Sequence, residues 1–372
     1  MRTYFSMLLL AAVVSFLLTP LARRFAFLVG AVDRPDPRKI HRHPTARLGG
    51  LAVVAGFCAP WLLLYALDNR VAHILRDHET LVFTLLGAGI TLFAVGVVDD
   101  IRGLSPGTKL VFQVLVAGGM YYGGYRITEL SIPFGDKWTL GWLALPVSVL
   151  WIVGLTNATN LLDGMDGLAT GMAAVMALSL AMINILAENT VVALLTFCLA
   201  GAALGFLPYN FTPARIFLGD SGSLFLGVVM AGISTISFFK AATATLILLP
   251  FLFALPLFDT FQVVIGRLRR GRHPFSPDKT HVHHRLLDLG LNSRQATTIL
   301  YLVTLFLGVS AIILSWRRES RAFIGIAFLG VLLAVGVALT ARQARRRSAS
   351  LPATAVATPE PVPPDQPPAS TS

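Results

Sequence analysis

Four groups of polar residues carry the chemistry that this chain can do. Asp99 and Asp100 are adjacent and close an apolar run. Neighbouring carboxylates repel each other, and a helix C-terminus repels both. An aspartate deep in a membrane costs about 2.5–3.5 kcal/mol, less at the interface. A compensating cation is expected, and Mg²⁺ suits the pair because it favours carboxylates together with phosphate oxygens. A solvated interfacial turn would account for Asp99-Asp100 taken alone. The second group is Asn160, Asp163 and Asp166, within a stretch that begins at Asn157. Their three-residue spacing gives one polar helix face, while Gly164 and Gly167 favour a turn with close backbone approach. In both cases the carboxylates are expected in a common space. Capping alone would explain one of them, Asp166 first.

The third group runs from Tyr209 to Ser223 and includes Asn210, Arg215 and Asp220. Gly219-Asp-Ser-Gly-Ser223 is expected to open a helix, where free backbone N–H groups form an anion site. With Asp220 alongside, a metal and a phosphate could be held together. The fourth group is His281, His283 and His284, set among Arg267, Arg269, Arg270, Arg272, Lys279 and Arg285. Three histidines invite zinc, but no Cys or adjacent carboxylate completes a tetrahedral set. Phosphate or pyrophosphate binding fits the basic surroundings better. The segment from Asp33 to Gly50, with Arg47 near its end, adds further basic groups, as an ordinary topogenic loop would.

The elements that must position these groups are membrane helices. Of 372 residues, 55% are hydrophobic and 13% charged, against about 25% charged in soluble domains. Mean hydropathy is +0.71. The fold class expected is an all-α integral membrane protein. Eleven apolar runs reach span length: 4–22, 48–67, 80–98, 108–124, 140–157, 168–187, 190–207, 222–239, 242–266, 297–315 and 322–341. Pro250 and Pro256 are expected to break the long ninth run. The first run has no cleavage site and ends at Arg23-Arg24, so it reads as an uncleaved helix. Cys58 and Cys198 sit in apolar runs and read as small hydrophobes.

Alternating the loops puts 21 of the 30 Lys and Arg residues on one side. That side is expected to be cytoplasmic, with the N-terminus outside and the C-terminus inside. The net charge of +11 then reflects basic loops beside anionic lipid rather than nucleic-acid binding. All four polar groups fall on the basic side. Residues 1–341 are expected to form one membrane domain, and 342–372 a basic, then Pro-, Ala-, Ser- and Thr-rich disordered tail.

In this order the segments resemble the polyprenyl-phosphate N-acetylhexosamine-1-phosphate transferase superfamily, from Asp33 to about Gly290. His281-Val-His-His-Arg-Leu286 is most similar to the branch that transfers N-acetylglucosamine-1-phosphate to undecaprenyl phosphate. The peptidoglycan branch, which transfers phospho-N-acetylmuramoyl-pentapeptide, has a different histidine motif, and a lysine where this chain has Gly103. The resemblance implies a bacterial cytoplasmic membrane enzyme that uses a UDP-sugar and undecaprenyl phosphate, depends on Mg²⁺ with Mn²⁺ as a substitute, and releases UMP. A homodimer is left open. By position, Asp220 resembles the main metal ligand, with Asp163 beside it. Asp99 resembles the base or phosphate-activating carboxylate, with Asp100 next to it. Asn160, Asp163, Asp166, Asn210 and Phe217 resemble positions around the nucleoside and metal. His281, His283 and His284 resemble the motif near sugar and pyrophosphate, and Lys109 matches a family lysine. Arg47 and Arg215 are expected to hold anionic substrate. The family mechanism is either direct attack or a covalent aspartyl intermediate. A transporter would also explain many spans, but intramembrane sites of that class lie near the midplane between internal repeats, and no repeat is visible here. A non-catalytic scaffold would not need three acidic motifs.

Overall fold

The computed structural model describes residues 1–34, 44–67, 70–131, 137–240, 252–271, 281–316 and 330. The order is α1 (Arg2–Val29), β1 (Val32–Asp33), β2 (Thr45–Ala46), α2 (Gly50–Ala66), α3 (Arg70–Arg76), α4 (Glu79–Arg102), α5 (Pro106–Tyr122), β3 (Glu129–Ser131), β4 (Lys137–Thr139), α6 (Ala144–Leu162), α7 (Leu168–Leu186), α8 (Thr190–Asn210), α9 (Gly219–Lys240), α10 (Ala254–Arg269), α11 (Val282–Asp288) and α12 (Ser293–Trp316).

Among the described residues, seven helices are long and apolar enough to cross a membrane. The chain is thus a multi-pass helical membrane protein. α2 and α5 have 17 residues each, the lower limit for a span. Nine of the expected runs fall on described helices. The ninth, 242–266, is described only from Leu252 onward, and Pro256 lies in the first turn of α10, where proline is tolerated. Pro250, the run 322–341 apart from Gly330, the tail 342–372, and Arg272 and Lys279 lie outside the described residues. Two short antiparallel hairpins, β1–β2 and β3–β4, add to the all-α bundle.

The centre of the bundle is α7, α8 and α9, each buried nearly all round. α1 packs on α8 and α2, α4 and α6 pack on α9, α12 packs on α7, and α5 fits between α4 and α6. Lipid offers apolar groups no reason to leave it, so close van der Waals fit must hold such helices together. α1 accordingly buries a stripe of Met7, Ala11, Ser15, Thr19, Ala22 and Ala26. It faces Gly201 and Gly205 of α8, where an added Cβ would run into the backbone of Leu8 or Ala12. The outer faces show Phe5, Leu9, Leu17, Phe83, Leu115 and Leu150. Large apolar side chains exposed on so many helices belong in hydrocarbon rather than water.

Candidate active site

The C-termini of α4 and α6 and the N-termini of α2, α5, α7 and α9 meet at one end of the bundle. α4 stops at Gly103, whose φ of 71° lies in the left-handed region. The chain reverses there, and the Leu104 N–H donates to Asp99 Oδ1. Ser105 then caps α5, its Oγ accepting from the Thr108 N–H at 3.1 Å, with Pro106 at the first helical position. This tight reversal brings Lys109, in the first turn of α5, back over the end of α4. Its Nζ donates to Asp99 Oδ2 at 2.9 Å and to Asp220 Oδ2 at 2.6 Å.

Asp100 points the other way. It is buried, and its Oδ1 and Oδ2 accept from the backbone N–H groups of Asp220 at 2.9 Å and Ser221 at 3.0 Å. The Gly219 N–H donates to Asp163. The first three N–H groups of α9 are therefore taken by carboxylates from α4 and α6. The expected open anion site at Gly219–Ser223 is corrected: the anions that fill it are the protein's own. The positive end of the helix dipole and charge-assisted hydrogen bonds compensate for burying Asp100. Only glycine fits at 219, with φ of 75° and the Arg47 carbonyl and Asp100 carboxylate where a Cβ would sit. The strand-like run before α2 fixes this arrangement through Phe217 N–H to Ala46 O, Gly49 N–H to Phe217 O and Gly50 N–H to Leu218 O. Arg47 approaches from the same run, its Nε 4.0 Å from Asp100 Oδ1 and its Nη1 3.7 Å from Asp33.

The Asn160–Asp166 stretch is part helix and part turn. Asn160 is on α6, Asp163 is its C-cap, and Gly167 turns into α7 with φ of 74°. Asn160 donates to Ser223 Oγ at 2.8 Å and also bonds the Asp220 carboxylate. Burial, then Asp220 and Asp100 nearby, hold the Asp163 carboxyl well above the usual range, while Arg47 pulls it down. Asp166 turns away, and its Oδ2 accepts from the Ala214 N–H at 2.9 Å. Asn210 is buried with both amide ends engaged, accepting from Thr170 Oγ1 and donating to the Ile216 carbonyl. Arg215 is exposed, and its carbonyl accepts from Arg23 Nε. The spacing of three thus sends Asn160 and Asp163 to the cluster and Asp166 to the 211–216 loop.

His283 and His284 sit on α11, and His281 is its N-cap. His283 is 2% exposed, and neither ring nitrogen has a hydrogen-bond partner among the described residues. Its imidazole lies against Gly164, so α11 touches the turn that carries Asp163. Burial, with His284 and His281 close by, lowers its pKa from 6.5 to about 4. His281 Nδ1 is 2.8 Å from Asp259 Oδ2. Asp259 joins the site from within an apolar run, where a lone acid is the signal. Gln113 is a second buried polar residue that the motifs do not contain. It lies one turn beyond Lys109 on α5 and exchanges amide hydrogen bonds with Asn157 of α6.

Among the described residues, no three His, Cys, Asp or Glu side chains are arranged to hold a metal by themselves. Mg²⁺ needs only one or two carboxylates when phosphates and water complete its shell. Asp99, Asp100, Asp163 and Asp220 bring four carboxylates together against Lys109 and the more distant Arg47. That surplus of negative charge fits a divalent cation.

Residues 82–238 match the model of glycosyl transferase family 4. The chain is 35% identical to a probable undecaprenyl-phosphate N-acetylglucosaminyl 1-phosphate transferase of Bacillus subtilis, covering 86% of this chain and 88% of that protein. It is 34% identical to a decaprenyl-phosphate N-acetylglucosaminephosphotransferase of Mycobacterium tuberculosis, over 89% and 86% of the two chains. It is 33% identical to an undecaprenyl-phosphate alpha-N-acetylglucosaminyl 1-phosphate transferase of Thermotoga maritima, over 73% and 78%.

Proposed function

The chain belongs to glycosyl transferase family 4, and from that premise we propose that it transfers N-acetylglucosamine-1-phosphate, or a related N-acetylhexosamine-1-phosphate, from a UDP-sugar to undecaprenyl phosphate. UMP is released, and the product starts a cell-envelope glycan. The observation that carries this reading is Lys109 between Asp99 and Asp220, at 2.9 and 2.6 Å, at the end of an apolar bundle. A charged site at that depth serves a polar donor and a lipid acceptor that arrives laterally. The relatives' names support N-acetylglucosamine as the sugar and a long polyprenyl phosphate as acceptor.

In the reaction, an oxygen of the acceptor phosphate bonds to the β-phosphorus of the UDP-sugar. The bond from that phosphorus to the oxygen bridging to UMP breaks. A phosphomonoester has its second pKa near 6, so little base strength is needed, and catalysis is positioning and charge neutralisation. Asp99 orients the acceptor phosphate. Lys109 and Arg47 offset substrate charge. Asp220 and Asp163 would hold Mg²⁺, or Mn²⁺ in its place, and the ion when bound neutralises the pyrophosphate. Asp100 holds the first turn of α9, and with it Asp220, in place. Asn160 orients the Asp220 carboxylate. Asp166 and Asn210 hold the loop that presents Arg215 and Phe217 to the nucleotide. His281, His283 and His284 face the sugar and pyrophosphate. Eleven spans, an outer N-terminus and a cytoplasm-facing site complete the reading, supported by the 21 of 30 Lys and Arg residues on one side.

The peptidoglycan reading is second. Gly103 speaks against it, because its φ of 71° disfavours the lysine of that branch. The deciding experiment incubates purified protein with Mg²⁺, polyprenyl phosphates of two lengths and a panel of UDP-sugars, and reads the lipid product by mass. A lipid pyrophosphate bearing N-acetylglucosamine is expected. No product from any UDP-N-acetylhexosamine would overturn the reading, and product from UDP-N-acetylmuramoyl-pentapeptide alone would install the second.

A further inference from the structure

Asp259 is 2% exposed in an apolar stretch of α10, and such an acid needs a strong reason to be there. Both its oxygens are spent on the start of α11. Oδ1 accepts from the Val282 N–H at 2.7 Å, and Oδ2 meets His281 Nδ1 at 2.8 Å. A carboxylate only accepts hydrogen bonds, so His281 must carry a proton on Nδ1. The Nδ1 edge of the ring faces α10, which turns the Nε2 edge away from it. The face of the His281 ring stacks with His283 at 5.6 Å and 11°, and the His283 edge reaches Gly164, next to Asp163.

Resting on the transferase reading, we infer that Asp259 is a positioning residue for His281. It fixes the tautomer and ring orientation, so that Nε2 is the nitrogen presented to substrate. Neutral, Nε2 accepts from a hydroxyl. Carrying a second proton, it donates to a phosphate oxygen. The rival role is purely structural: a cap for α11 through Val282.

Asp259→Asn separates the two. Its amide oxygen can still accept from the Val282 N–H, but its NH₂ group donates toward Nδ1 and reverses what Nε2 offers. The test is a double-mutant cycle on purified, Mg²⁺-supplied enzyme, with UDP-N-acetylglucosamine and undecaprenyl phosphate. Asp259→Asn should lower kcat about 10–100-fold, as loss of an orienting partner does, with KM for the UDP-sugar within about threefold. His281→Ala should lower kcat at least as far. The double variant should then lie within about threefold of His281→Ala alone, because residues acting as one unit do not add. A single variant at wild-type turnover, or losses that multiply in the double variant, would overturn the inference. Should Asp259→Asn not fold by its thermal midpoint, the same cycle is run with Asp259→Ser, which also lacks the carboxylate, and read the same way. Absence of transfer by the wild type sinks the transferase reading instead, so the two failures are distinct.

Discussion

Replacing Lys109 with methionine is the sharpest perturbation of the acidic cluster. Methionine keeps much of the length and apolar stem of lysine and removes its charge. Lys109 Nζ touches Asp99 Oδ2 at 2.9 Å and Asp220 Oδ2 at 2.6 Å, so the two carboxylates are close to each other. At about 5 Å and an effective dielectric of about 20, their mutual repulsion is about 3 kcal/mol. That is enough to displace one carboxylate from its working position. The same energy lost from the transition state is on the order of 100-fold in rate. Lys109→Met should therefore turn over roughly 100-fold more slowly in detergent, with UMP release as the readout. A site with one positive charge fewer also attracts a divalent ion more strongly, so half-saturating Mg²⁺ should fall. With Mg²⁺ present to take over the lost charge, the thermal midpoint should move little, because most of the lysine stem is replaced. Turnover within threefold of wild type, with an unchanged Mg²⁺ requirement, would refute the charge argument.

Asp99 and Asp100 are neighbours with different partners, so their variants should part company. Asp100→Ala leaves two α9 N–H groups without acceptors and should cost about 2–4 kcal/mol of stability, seen as a lower thermal midpoint. Asp99→Asn and Asp220→Asn should instead lose more than about 100-fold in turnover while melting like wild type; wild-type turnover in both would remove them from the chemistry. Chelation by EDTA should stop transfer, and Mg²⁺ or Mn²⁺ should restore it; chelator-resistant transfer would remove the metal from the mechanism. His283 gives a pH test. Its pKa falls from 6.5 to about 4 in the fold, so the native state binds fewer protons than the unfolded chain between those values. Its contribution is complete above 6.5 and is lost as pH drops toward 4, worth up to about 3 kcal/mol. His283→Gln should flatten the thermal-midpoint profile across that window, and an unchanged slope would contradict it.

The membrane class and the acidic ends of helices were legible because both depend on residue type along the chain. Apolar runs predict helices, and acids at their ends predict a polar face. What the sequence does not carry is the direction of each side chain. Asp99 and Asp100 differ by about 100° around α4, which sends one to Lys109 and the other to the start of α9. Hydropathy cannot see that difference, since it arises only when α5 and α9 dock. The same holds for Asp163 and Asp166. Their spacing of three suits one helix face, but α6 ends at Leu162, and the turn sends Asp166 to Ala214. Asp259 was hidden for the opposite reason. It lies within an apolar run, and its partner His281 is 22 residues away. In sequence Gln113 is a single polar residue in a span, and only the docking of α6 brings Asn157 opposite it.

The four carboxylates also differ in what would have to move for each to change partner. Asp100 holds two backbone N–H groups of α9, and Asp163 holds a third. Releasing either would leave a helix start without acceptors, a cost of the order of 1–3 kcal/mol per group. Asp99 and Asp220 share Lys109, a cation on a flexible four-carbon stem whose head can shift with no change in the backbone. The fixed pair therefore builds the site, and the pair bridged by Lys109 is where charge can be exchanged. A site that must admit a pyrophosphate, a second phosphate and a cation needs that division, because the frame has to stay rigid while counter-ions change. It follows that variants at Asp100 should act through stability first, and variants at Asp99, Lys109 and Asp220 through turnover first. The comparison is cleanest in one preparation, with the thermal midpoint and kcat measured on the same samples.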